Sequence, residues 1–203
     1  MDGEYMYMPQ VTAEDERNKD DSQTKGFKEV SGHFGKLLEN KEFCDMEIDC
    51  GGKVFSCHKL IVSARSPVFR AMFDVKMKER ESGKVSIEDI NPEIMEEMLH
   101  FIYTGVVKES LPFKSTVKLL SAADKYQLDA LKDICQDKLY SVLGAENAIE
   151  ILILGEMYMI PKIKDAALME VVHNMPEIAD TEDYQRLEDY PKLALEIPKA
   201  MFK

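Results

Sequence analysis

The stretch Cys57 to Phe73, CHKLIVSARSPVFRAMF, holds the densest apolar run in the chain and constrains its fold more than any other. Ser66 followed by Pro67 predicts a helix start: a serine hydroxyl can satisfy a free backbone donor, and proline fits the first helical position without losing a useful hydrogen bond. Val68, Phe69, Met72 and Phe73 then fall on one face of the helix that follows, and that face must bury. Upstream, His58 to Ala64 reads as a second short helix whose Leu60, Ile61 and Val62 leave little solvent face, which places it deep in the core. The expectation is a buried helical hairpin.

The flanking segments follow in order. Residues 1 to 28 are acid-rich and polar with no sustained apolar period, which reads as a disordered arm. From Val30 the apolar residues Phe34, Leu37 and Leu38 recur at helical spacing. Met46, Ile48 and Cys50 alternate with acidic residues, Gly51 and Gly52 intervene, and Lys53 to Cys57 alternates again, which predicts a two-residue β-hairpin. Lys76 to Lys84 reads as a solvated loop before a short strand at Lys84 to Ile87. Asn91 and Pro92 open a helix whose apolar stripe runs from Ile94 to Ile102 and stops at Gly105. Further helices are predicted from about Lys114 to Tyr126, from Leu128 to Val142, over Ala148 to Leu154, from Pro161 to about His173 and over Tyr190 to Ile197, with 174 to 189 as an acidic loop. Strands cluster early and helices late, so the fold class is α+β: a mixed N-terminal domain with an all-helical extension.

Composition excludes several functions. A net charge of -12 and the lack of any long basic run argue against a nucleic-acid surface. Nothing near the start resembles a secretory signal, and the few cysteines, Cys44, Cys50, Cys57 and Cys135, are expected to be free thiols in a reducing compartment. The longest mostly apolar run, Ala148 to Gly155, is far shorter than the roughly 20 residues a membrane-spanning helix needs.

Candidate chemistry is sparse. Cys44, Cys50 and Cys57 beside His58 invite a zinc reading, but five and six residues separate the cysteines where a ligand knuckle needs two to four. Packing accounts for them better, as buried thiols and a core histidine. No nucleophile elbow, phosphate-binding loop, dinucleotide fingerprint or zinc-protease helix is present, and His33, His100 and His173 are scattered. The expectation is a protein with no catalytic, cofactor or metal site. A helix carrying Val30, Phe34 and Leu37 on one stripe either covers its own core or exposes a patch that a symmetric second copy would cover.

The order of elements, with FCDMEIDCGGKVFSCHKLIVSARSPVFRAMF (43 to 73), FIYTG (101 to 105) and LLSAADKYQLDALKDICQDKL (119 to 139), resembles a BTB/POZ domain. The segment ENAIEILILGEMY (146 to 158) is similar to the speckle-type POZ protein group. The resemblance implies a small β-sheet flanked by a cluster of helices over 29 to 143, followed by a BACK-like extension of the three-box type over 144 to 203. It also implies function. Such proteins are non-catalytic adaptors that dimerise and dock cullin-3 so that a substrate is ubiquitinated, in the nucleus, the cytoplasm or both. Carried over by position, the dimer face would comprise Val30, Phe34, Leu37 and Ile61. The cullin contact would comprise Met77 and Glu79 in the loop after the hairpin, with Phe113 on the same surface. Asp45 and Lys59 would form a buried charged pair beneath the dimer interface.

The substrate-capturing MATH domain or kelch blades of such relatives are not seen in these residues. Three accounts therefore stay open: a heterodimer with a related BTB protein, a competitor that occupies cullin-3, or a chain that reads substrate through its tail. A BTB transcriptional co-regulator is the alternative class.

Overall fold

A computed structural model describes residues 13–73 and 82–202, with side chains described from residue 24 onward. A small sheet lies early in the chain. β1 (Met46–Cys50) and β2 (Lys53–Cys57) are antiparallel, with Cys50 opposite Lys53 across a two-residue turn. Gly51 and Gly52 have φ of 57° and 84°, the left-handed pair that such a hairpin turn demands and that only glycine adopts cheaply. β3 (Lys84–Ile87) pairs parallel to β1, so the order is β2-β1-β3. Met46, Ile48, Cys50, Val85 and Ile87 all turn to the core, as strict alternation requires.

The expected helical hairpin is present as α2 (Lys59–Arg65) and α3 (Pro67–Met72). Ser66 Oγ accepts the Phe69 amide at 3.2 Å and donates to the Tyr126 carbonyl at 2.7 Å. A cap contributes about 1 kcal/mol, whereas full burial of a side chain such as Phe69 contributes roughly 1.5–3 kcal/mol. Packing therefore holds the hairpin in place, and the cap decides where α3 begins. One expectation is corrected here. Val62 is fully buried and Ile61 half-buried, but Leu60 is 80% exposed. A single turn of helix cannot bury three consecutive side chains against one neighbour.

α4 (Pro92–Thr104) is the central helix, with Ile94, Met95, Met98, Leu99, Phe101 and Ile102 buried. It ends at Gly105, whose φ of 72° lets its amide bond the Phe101 carbonyl at 2.7 Å. α1 (Ala13–Asn40) crosses the end of α4. Ser31 Oγ donates to the Thr104 carbonyl at 2.6 Å, and a Cβ on Gly35 would stand 3.1 Å from Thr104 Cγ2. This helix reaches well into the arm expected to be disordered through residue 28. Its side chains from Thr24 to Val30 are all exposed, so it needs no apolar period there.

α5 (Phe113–Lys125) and α6 (Asp129–Ser141) pack together and complete the core. Beyond them α7 (Ala148–Met157) is buried on every side, as a helix apolar all round should be. It packs on α8 (Pro161–His173), which α11 (Pro191–Met201) also touches. The expected loop over 174 to 189 instead forms α9 (Met175–Ile178), α10 (Glu182–Gln185) and a 3-10 turn, Arg186–Asp189. Buried Ile178 and Leu187 pin these turns, and Thr181 caps α10 by accepting the Tyr184 amide at 3.2 Å.

Candidate interaction surface

An apolar groove of about 510 Å³ runs between α1 and α2. Phe27, Val30 and Phe34 line one wall, and Leu60, Ile61 and Ala64 the other. Buried Ile102 and Tyr103, from the last turn of α4, lie between them. Phe27 is 74% exposed, and with Leu60 it leaves large apolar side chains facing water on both walls. Contiguous exposed apolar surface of this kind marks an interaction site. Arg65 lies at the margin, its guanidinium 5.6 Å from the Phe101 ring centroid, and supplies the polar edge.

Three of the four residues expected at a dimer face, Val30, Phe34 and Ile61, meet in this groove. Leu37 is half-buried one turn further along α1, outside its lining. Phe27 and Leu60 also line the groove and are not among the residues expected at a dimer face. Phe27 continues the Val30 and Phe34 stripe at helical spacing and could have been found from that register.

A polar cluster closes the same edge of the molecule. The His58 Nε2 lies 2.7 Å from the Glu42 carbonyl, which can only accept, so Nε2 carries a hydrogen. Nδ1 lies 2.7 Å from the Tyr103 hydroxyl, whose oxygen also accepts the His58 amide at 2.8 Å. Burial raises the Tyr103 hydroxyl pKa well above its ordinary value, against the lowering effect of that amide. His58 is thus a structural histidine. Cys44 Sγ is 4.0 Å from its Nε2, and Cys50 donates to the Ile90 carbonyl at 2.9 Å. Burial pushes the Cys57 thiol up to about 12. Among the described residues, no group of three His, Cys, Asp or Glu side chains gathers as metal ligands would.

Asp45 and Lys59, expected as a charged pair beneath a dimer interface, come together in the single chain through the Lys59 backbone amide. Asp45 is exposed in the single chain and its carboxylate accepts the Lys59 backbone amide at 2.7 Å. It therefore caps α2, which has no capping bond from its own preceding residue, His58. Lys59 Nζ lies 5.7 Å from the Phe73 ring centroid. Of the expected cullin contacts, Met77 and Glu79 lie outside the described residues. Phe113, first residue of α5, is half-buried against the core.

The profile of the BTB/POZ domain family matches residues 34–143, more than half of the chain. The chain belongs to the BTB/POZ domain family. The matched span begins on the groove face of α1 and ends just after α6. TD and POZ domain-containing protein 1 of Mus musculus is 39% identical over 168 residues, covering 82% of this chain and 46% of that protein. TD and POZ domain-containing protein 5 of Mus musculus is 38% identical over 165 residues, covering 81% of this chain and 48% of its own length. The chain thus spans about half the length of the curated relatives it matches. Among solved structures, the BTB domain of zebrafish PATZ1 is similar over 66% of this chain and 98% of its own, with 20% identity and a TM-score of 0.47. The BTB/POZ domain at residues 34–143 supports a role in protein–protein interaction. Among the described residues, no helix is long and apolar enough to cross a membrane.

Proposed function

We propose that this BTB/POZ protein is a dimeric, non-catalytic adaptor that binds cullin-3 and links it to partners or substrates for ubiquitination, in the nucleus, the cytoplasm or both. The observation that carries the dimer is the open groove between α1 and α2, whose walls leave Phe27, Val30, Phe34 and Leu60 in water. A two-fold axis brings the same patch of two copies together, which covers such a surface without any second partner. The cullin-3 contact rests on the likeness to the speckle-type POZ protein group at Met77, Glu79 and Phe113. An adaptable methionine can fill an apolar pocket on a partner helix, and a nearby carboxylate can fix its register.

Two measurements test this reading. In a pull-down with the cullin-3 N-terminal region, wild type should be retained and a Met77→Ala, Glu79→Ala double variant lost. Equal capture of both, or of neither, removes cullin-3 from the proposal. In sedimentation equilibrium, wild type should be a dimer and Leu60→Asp a monomer. A wild-type monomer removes the dimer.

A further inference from the structure

We infer that Phe43 is a preformed anchor that inserts into the groove of a second copy of this chain, an inference that rests on the dimer reading. Phe43 is 87% exposed and has a φ of 59°. That left-handed region is disfavoured for a bulky side chain, which neither fits it easily nor repays it with a local hydrogen bond. Lys41, two residues earlier, is also left-handed, with φ of 57°. Two such residues within the five-residue segment 41–45 that joins α1 to β1 are a concentration of backbone strain, and strain persists only where the surroundings impose it.

The surroundings here are specific. The Lys41 amide bonds the Leu37 carbonyl at 3.1 Å, which ties the turn to α1. The Glu42 carbonyl is held by the His58 ring at 2.7 Å. On the far side, the Asp45 amide bonds the Cys57 carbonyl at 3.2 Å, and its carboxylate holds the Lys59 amide. Phe43 is therefore bracketed by bonds on both sides, its backbone fixed and its ring in water. The strain gains little for the fold of the single chain, because the ring is left 87% exposed there.

A second copy is the occupant that fits. The turn continues directly from α1, whose face lines the groove, and it is bonded to His58, which leads into α2, the other wall. Aromatic knob and apolar groove thus lie on one edge of the molecule, yet within one chain Phe43 is not part of the groove lining. A two-fold axis through this edge brings the knob of each copy to the groove of the other, the self-complementary arrangement that a symmetric dimer requires. A rigid aromatic loses little freedom on docking, which makes it an effective anchor.

The test uses the full chain. Phe43→Gly retains the left-handed backbone, so the chain folds as before while the ring is lost. Its dimer dissociation constant, from sedimentation equilibrium, should rise roughly tenfold or more, with a melting temperature at high dilution no lower than wild type. In parallel, a benzophenone side chain replaces Phe43 in an equal mixture of isotopically light and heavy chains. Mixed-label crosslinks to peptides carrying Phe27 to Phe34 or Leu60 to Arg65 are expected. Wild-type affinity in Phe43→Gly, or crosslinks within one copy alone, would overturn the anchor while leaving the dimer reading intact. A wild-type chain that stays monomeric overturns both and leaves the groove to a foreign segment.

Discussion

The Cα of Lys164 lies 2.7 Å from the position that a methyl group on Gly155 would occupy. The obstructing atoms include the Lys164 backbone nitrogen at 2.8 Å, so no side-chain rotation can make room. α7 and α8 approach this closely only because residue 155 has no Cβ. Gly155→Ala should therefore push the two helices apart and destabilise the chain by about 1–3 kcal/mol, the usual cost of overpacking, despite alanine's better helix propensity. Urea unfolding of wild type and variant checks this, and an equal or higher midpoint for the variant refutes it.

Ser66→Ala removes two bonds at once from a fully buried site: the cap on the Phe69 amide and the donor to the Tyr126 carbonyl. Loss of a cap plus an orphaned buried carbonyl should cost roughly 2–4 kcal/mol. Hydrogen exchange separates the two parts. If Phe69 amide protection is unchanged in the variant, the cap contributes nothing.

Glu97 is only 2% exposed and holds the Lys108 amide at 2.7 Å and the Lys108 ammonium at 3.1 Å. The ammonium is largely in solvent, so the ion pair is worth less than about 1 kcal/mol. The amide is the stronger tie, since leaving it unpaired costs roughly 1–3 kcal/mol. Glu97→Gln, which keeps an acceptor for that amide, should stay near wild type in thermal unfolding, while Glu97→Ala should lose stability. Equal losses in both variants would transfer the role to the charge.

Burial pushes the Cys57 and Cys135 thiols up to about 12 from an ordinary 9.0. The folded chain keeps both protons where the unfolded chain begins to lose them, so the unfolded state binds fewer protons above about pH 9 and rising pH favours it. This contribution is fully present below about pH 9 and is lost as pH climbs toward about 12, at up to about 1.4 kcal/mol per pH unit for each thiol. Urea midpoints measured at about pH 8 and about pH 10 should fall more steeply for wild type than for the Cys57→Ala, Cys135→Ala variant. Parallel slopes would count against it.

The parts of the fold legible in the sequence are those set by local chemistry. Ser66 with Pro67, Asn91 with Pro92, and Gly51 with Gly52 each announce a backbone event within a few residues, and each stands where expected. Leu60 was misplaced because periodicity identifies an apolar helix without saying which of its faces finds a neighbour. The groove is a relation between α1 and α2, and only Val30, Phe34 and Ile61 of its lining were reached, through family likeness. The capping of α2 by Asp45 spans fourteen residues, and no local signal carries it. The left-handed Phe43 was illegible too, because nothing in the residue type hints at that φ; the bonds at Glu42 and Asp45 impose it.

The contact between His58 and Tyr103 carries a practical consequence. Tyr103 lines the groove while its hydroxyl touches an imidazole that lies outside the lining. An occupant that displaces the Tyr103 hydroxyl would change the electron density at Nδ1. The nitrogen-15 resonances of one histidine thus become a built-in gauge of occupancy, readable on unmodified protein while the occupant itself stays unlabelled.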